Sequence, residues 1–154
     1  MKFTGHFTGP QLNLKAWEAE LRTHLTKKLH EYTREWLRAV TGRVPVWSGM
    51  SRASLLELKE LVGGRIYIRP KVKSRIPQGR ALGTATPNIT DTDFSITIVT
   101  QVPHYTYQEY RRSPRGGSPK APWFSLFAGS EAFRAIAQDV KLPAVTFKPF
   151  VRTI

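Results

Sequence analysis

Pro45-Val46-Trp47-Ser48-Gly49-Met50-Ser51-Arg52-Ala53-Ser54-Leu55 separates a long helical pattern from a shorter one. Pro45 removes an amide donor and Gly49 tolerates backbone angles that other residues avoid, so the chain has to change direction here. Ser48 stands where a helix N-cap is expected, with its hydroxyl available to an amide two or three residues on.

Upstream of this break, Pro10 to Val40 reads as one helix. Leu14, Trp17, Leu21, Leu25, Leu29, Tyr32, Trp36 and Val40 recur at steps of three or four and share a face. Charged residues such as Glu18, Glu20, Lys27, Arg34 and Arg38 lie opposite. Pro10 suits the start and Gly42 the stop. Downstream, a second helix is predicted from about Met50 to Val62, closed by Gly63-Gly64. Arg65 to Arg69 alternates like a strand, and Asp93 to Val102 gives the clearest strand pattern, with Phe94, Ile96, Ile98 and Val102 on one face. These two strands are predicted to pair antiparallel around a long basic loop, 70–91. A further loop covers 112–121, and a third helix about Pro122–Gln138. Residues 1–9 read as an N-terminal arm. Residues 145–154 read as a strand or exchanged arm that Pro149 confines to a sheet edge. The predicted fold is therefore α+β in a single domain, 1–154: a long N-terminal helix and two shorter helices packed on a small antiparallel sheet.

With 154 residues, 40% apolar and 11% aromatic, the chain can bury one core, which argues against full-length disorder. It has no cysteine, so disulfide and thiol chemistry are out. No apolar run approaches the ~20 residues that span a bilayer. Met1 to His6 lacks a signal-peptide core, which gives a cytoplasmic expectation. The net charge of +13 calls for an acidic partner or nucleic acid. It is concentrated: residues 61–90 carry six basic groups and no acid. Of these, Arg69, Lys71, Lys73, Arg75 and Arg80 are the candidates to face DNA phosphates, and a neighbouring acidic subunit is the competing partner.

Catalytic patterns are weak. Asp91, Asp93, His104 and Glu109 supply the residue types of a Mg²⁺-dependent nuclease, but the two aspartates fit better as turn residues. His6, His24, His30 and His104 lack metal-ligand spacing. Ser48 and Ser54 have no paired base in sequence. Tyr105, Tyr107 and Tyr110 near Arg111 and Arg112 fit packing better than base stacking. No enzyme activity, metal or cofactor is expected.

The 45–55 stretch resembles the Pro-Val-x-Ser/Thr-Gly-x-x-Arg-x-Ser-Leu/Ile signature of the head–tail connector, or tail-completion, proteins of tailed bacteriophages. Val102-Pro103-His104-Tyr105 with Glu109-Tyr110 is similar to the family's second motif, and Ala121-Pro122-Trp123-Phe124 to its third. The likeness spans roughly 10–140. Trp47 replaces a common acid, Ser51 an aliphatic residue, and Arg111 a usual glycine. The resemblance implies a structural virion protein of the neck, assembled in the bacterial host cytoplasm. It would form a six- or twelve-fold ring between portal-side connector proteins and the tail tube or tail terminator. Packaged DNA would pass through the lumen without sequence specificity. The residues it marks for motif or subunit contact are Pro45, Gly49, Arg52, Ser54, Tyr105 and Glu109. Gly49 is expected to allow close approach of the two helices. Arg52, a cation in the first turn of its helix, sits against the macrodipole and so needs a partner, for which Glu109 is the candidate. Alternatives are a small basic DNA-binding accessory protein and, third, the nuclease.

Overall fold

The computed structural model describes residues 14–109 and 123–138. The expected arm at 1–9, the 112–121 loop and the C-terminal strand at 145–154 lie outside these residues. The first element, α1 (Leu14–Arg43), is a helix of 30 residues, about 45 Å long at 1.5 Å per residue. It continues through Gly42, and Val44 N–H still bonds the Val40 carbonyl at 3.1 Å. Its two ends differ. Residues 15–20 are exposed throughout, whereas Tyr32, Leu37, Val40 and Val44 near the other end are buried. The helix therefore projects beyond the core at its start and is embedded at its finish.

The second predicted helix is split into α2 (Met50–Ala53) and α3 (Leu56–Val62). Leu55 leaves helical geometry (φ −101°, ψ 5°) and begins α3, while the Ser54 hydroxyl donates to the Ser51 carbonyl at 2.9 Å. Such local side-chain bonding competes with continuous helix. α3 ends as expected: Gly63 is left-handed at φ +72°, and Gly64 N–H returns to the Lys59 carbonyl.

Two differences from the sequence reading concern the sheet. Residues 65–69 alternate in burial, with Ile66 and Ile68 half-buried and Arg65, Tyr67 and Arg69 exposed, yet they form no strand. The segment 70–91 holds α4 (Ile76–Ala81) and β1 (Gly83–Ile89). β1 pairs antiparallel with β2 (Phe94–Thr100), from Gly83↔Thr100 to Ile89↔Phe94. Proximity contributes: closing a hairpin over residues 90–93 costs about 1.5 kcal/mol less loop entropy than closing one over the expected 70–91 loop. Asp93 shapes the turn. Its backbone N–H bonds Thr90 Oγ1 at 3.0 Å, and its carboxylate accepts from Asn88 Nδ2 at 2.6 Å. Asp91 forms an ion pair with Arg22 of α1.

After β2 the chain makes a short α5 (Tyr105–Glu109), which the sequence reading did not anticipate, and α6 (Ser125–Ala137). α6 lies along α1, whose other neighbours are α3 and β2. Tyr32 meets Phe133 edge to face, ring centroids 5.8 Å apart. Gly129 makes this approach close, because a Cβ there would stand 2.6 Å from Trp36 Nε1. The core joins Leu37, Val40 and Val44 to Leu55, Leu58 and Val62, and to Val102 and Tyr105. Each fully buried Leu among them contributes about 1.5–3 kcal/mol of transfer free energy. The α+β architecture predicted from the sequence is thus present, with a two-stranded sheet.

Candidate functional site

Residues 45–55 form a hub against which most later elements close. Gly49, not Ser48, occupies the N-cap of α2, left-handed at φ +82° and without a side-chain cap. Its missing side chain makes room for the 65–76 segment: a Cβ would stand 2.9 Å from Ile68 Cγ2 and 3.0 Å from Ile76 Cγ1. The close approach is therefore to this segment and not between two helices. Gly79 and Gly83 extend the pattern. A Cβ on the first would overlap the Met50 carbonyl, and one on the second the Ser54 carbonyl. α4 and the start of β1 thus press backbone to backbone on α2. Main-chain bonds complete the seam, with Lys71 N–H on the Trp47 carbonyl at 2.8 Å and Arg75 N–H on the Ser48 carbonyl at 2.9 Å. Buried Ser54 accepts from Thr100 Oγ1 at 2.9 Å, tying α2 to the end of β2.

Arg52 does not pair with Glu109. Its Nε donates to the Val44 carbonyl at 2.6 Å and its Nη1 to the Tyr67 carbonyl at 2.8 Å. A cation that is misplaced for its own short helix is well placed for the C-terminal end of α1, where carbonyls lack intrahelical partners. Burial lowers the Arg52 pKa from its ordinary value, but a guanidinium stays charged at neutral pH.

Glu109 serves the opposite helix end. Its carboxylate accepts Leu126 N–H at 2.6 Å and the Ser125 hydroxyl at 2.6 Å. Glu109 and Ser125 are both fully buried. A carboxylate supplied by α5 therefore caps the N-terminus of α6, where backbone amides and the macrodipole favour an anion. Phe124, which precedes α6, holds a left-handed conformation at φ +46°. Tyr105 closes the arrangement. Its ring meets Trp123 edge to face at 5.6 Å, and its hydroxyl lies 3.3 Å from Ser125 Oγ. Burial, with a smaller contribution from the Glu109 charge, pushes its pKa up to about 12. The two charged motif residues thus act in parallel, each fixing one end of a helix in the α1–α6 pair.

Between the hub, the 72–75 segment and α5 opens a cleft of about 580 Å³, with Trp47, Val72, Lys73, Arg75 and His104 on its walls. No carboxylate is among its lining residues. Ser51 Oγ and His104 Nε2 approach to 3.1 Å there. The pair is 53 residues apart in sequence, so no local spacing signals it. Nucleophilic catalysis needs a base that is itself oriented by a third group. Among the described residues, no carboxylate is hydrogen-bonded to His104, and the pair links α2 to the α5 entry.

The other candidates are distributed as follows. Arg69, Lys71, Lys73 and Arg75 are exposed, and Pro45 lines the cleft. Arg80 is held by Glu60 at 2.8 Å. The proposed nuclease residues have separate roles: Asp91 binds Arg22, Asp93 forms a turn, His104 meets Ser51 and Glu109 caps α6. Among the described residues no group of three or more His, Asp or Glu side chains comes together to hold a metal ion, and no helix is long and apolar enough to cross a membrane.

Comparison with known proteins finds no matching family model, no similar curated protein and no similar solved structure.

Proposed function

We propose that this chain is a structural subunit of the neck of a tailed bacteriophage, forming a six- or twelve-fold ring at the head–tail interface through which DNA passes. The observation that supports this reading is that, among the described residues, the sheet has two strands and neither outer edge carries a third. Val99 of β2 is 44% exposed. Open edges are a hazard for a solitary molecule and a ready contact for a ring subunit.

Other features agree with a mechanical role. The residues that carry the resemblance at 45–55 and 102–109 brace helix ends and backbone seams. The exposed cations Arg69, Lys71, Lys73 and Arg75 fit a sequence-independent phosphate neighbour or an acidic subunit. Its assembly partners are copies of itself, portal-side connector proteins, and the tail tube or tail terminator.

The reading is tested by negative-stain imaging of the purified chain at increasing concentration, together with antibody labelling of the parent particle. Rings and label at the neck are expected. A chain that stays monomeric and is absent from particles would sink the proposal. In that case, tight and salt-dependent duplex binding by the isolated chain would favour the DNA-binding accessory reading, which the exposed cations also support.

A further inference from the structure

We infer that the projecting start of α1 from one copy docks into the cleft of the next, through Trp17, Glu18 and Glu20 on one side and Trp47, Lys73 and Arg75 on the other. The inference rests on the ring reading and names the surfaces that close the ring.

Charge is the first argument. The chain has only 11 acids against 24 Lys and Arg. Most described acids already have work. Glu31, Glu35, Glu60, Asp91 and Glu131 are in ion pairs, while Asp93 and Glu109 are hydrogen-bonded. Among the described residues, Glu18, Glu20 and Glu57 are the acids that make no ion pair or hydrogen bond with one another or with the rest, and the first two both lie on the exposed stretch of α1. Lys73 and Arg75 are exposed and likewise form no ion pair among the described residues, in a cleft with no carboxylate.

Shape is the second argument. Residues 15–20 reach out from the core on a rigid helix. Trp17 offers an aromatic side chain that is 37% exposed, and Trp47 and Val72 on the cleft wall are 62% and 42% exposed. A cleft of about 580 Å³ lies within the roughly 300–1,000 Å³ range of pockets that accept a bulky group. Aromatic anchors in a charged rim are the usual form of an interface centre. The cations are presented on a fixed frame, because the Lys71 and Arg75 amides are bonded to Trp47 and Ser48.

A contact between two different surfaces is heterologous, so it propagates from copy to copy and closes when the rotation allows.

The absence of cysteine gives a clean test by disulfide trapping. Glu18→Cys chains mixed with Lys73→Cys chains under mild oxidation should give a covalent dimer. A single chain carrying both changes should give a ladder of higher oligomers. Glu57→Cys mixed with Lys73→Cys serves as the background control, and the inference is overturned if the Glu18 pair traps no more dimer than that control.

A charge exchange provides the second arm. Glu18→Lys with Glu20→Lys, or Lys73→Glu with Arg75→Glu, should each weaken self-association by about tenfold or more, and the four changes together should restore it. Rings that persist unchanged in both double variants would overturn this contact while leaving the ring reading intact. Absence of the chain from particles would remove the ring itself.

Discussion

Removing the Glu109 carboxylate strands two donors at the start of α6, the buried Ser125 hydroxyl and the part-buried Leu126 amide. The Leu126 amide and the Ser125 hydroxyl each bond it at 2.6 Å, and alanine offers neither an acceptor. A buried polar group without a partner costs about 1–3 kcal/mol, and loss of an anionic cap adds about 1 kcal/mol. Glu109→Ala should therefore destabilise the fold by about 2–4 kcal/mol, a large part of the roughly 5–15 kcal/mol typical of a domain. Glu109→Gln keeps one oxygen for the amide, and the serine hydroxyl can rotate to accept from the new NH₂ group. Its cost should be nearer 1 kcal/mol.

Urea unfolding followed by tryptophan fluorescence reads both values, since Trp123 meets Tyr105 edge to face beside the cap. The same assay separates this geometry from an Arg52–Glu109 ion pair. With Arg52 bonded to Val44 and Tyr67, Arg52→Ala and Glu109→Ala should add to within about 0.5 kcal/mol, whereas a direct pair would couple more strongly. Near-neutral Glu109→Ala, or glutamine as costly as alanine, would refute the reasoning.

Gly83→Ala should destabilise strongly, because its Cβ meets the Ser54 backbone, which has no room to yield; Gly42→Ala, with nothing within 4 Å, should be neutral or stabilising by up to about 1 kcal/mol. Circular-dichroism melting of the two variants gives the comparison. Tyr105 sets an alkaline limit: its folded pKa of about 12 lies above the ordinary 10.0. The stability it contributes is whole below pH 10 and is lost as pH rises through 12, by up to about 3 kcal/mol. Tyr105→Phe should flatten that part of a stability-versus-pH curve measured by urea titration.

The long helix and β2 were legible because burial follows their own period. Leu21, Leu25, Leu29, Tyr32, Trp36 and Val40 mark one side of α1, and Phe94, Ile96 and Ile98 one side of β2. Leu37, a buried leucine of α1, fell outside the predicted stripe because α3 and α6 flank α1 and widen its covered face. β1 was hidden by its composition. Gly83, Pro87 and Asn88 are poor strand formers, and the strand depends on its short link to β2 and on its packing against α3. Conversely, Ile66 and Ile68 display strand alternation without a ladder, since an extended chain over a core buries every second residue with or without a neighbour.

The same division holds at the site. Sequence by itself determined the break at Pro45–Gly49, the basic stretch at 61–90, and the residue types Arg52, Ser54, Tyr105 and Glu109 as positions of interest, because these depend on local backbone freedom and on charge count. Partners were decided only by tertiary structure. Arg52 reaches carbonyls at 44 and 67, Glu109 reaches the start of α6, Ser51 meets His104, and Gly79 and Gly83 turn out to be contact points for the α2 backbone. Hydrogen bonds and steric limits act over about 3 Å, and which atoms come that close is a property of how helices and hairpin pack, not of how far apart their residues stand along the chain.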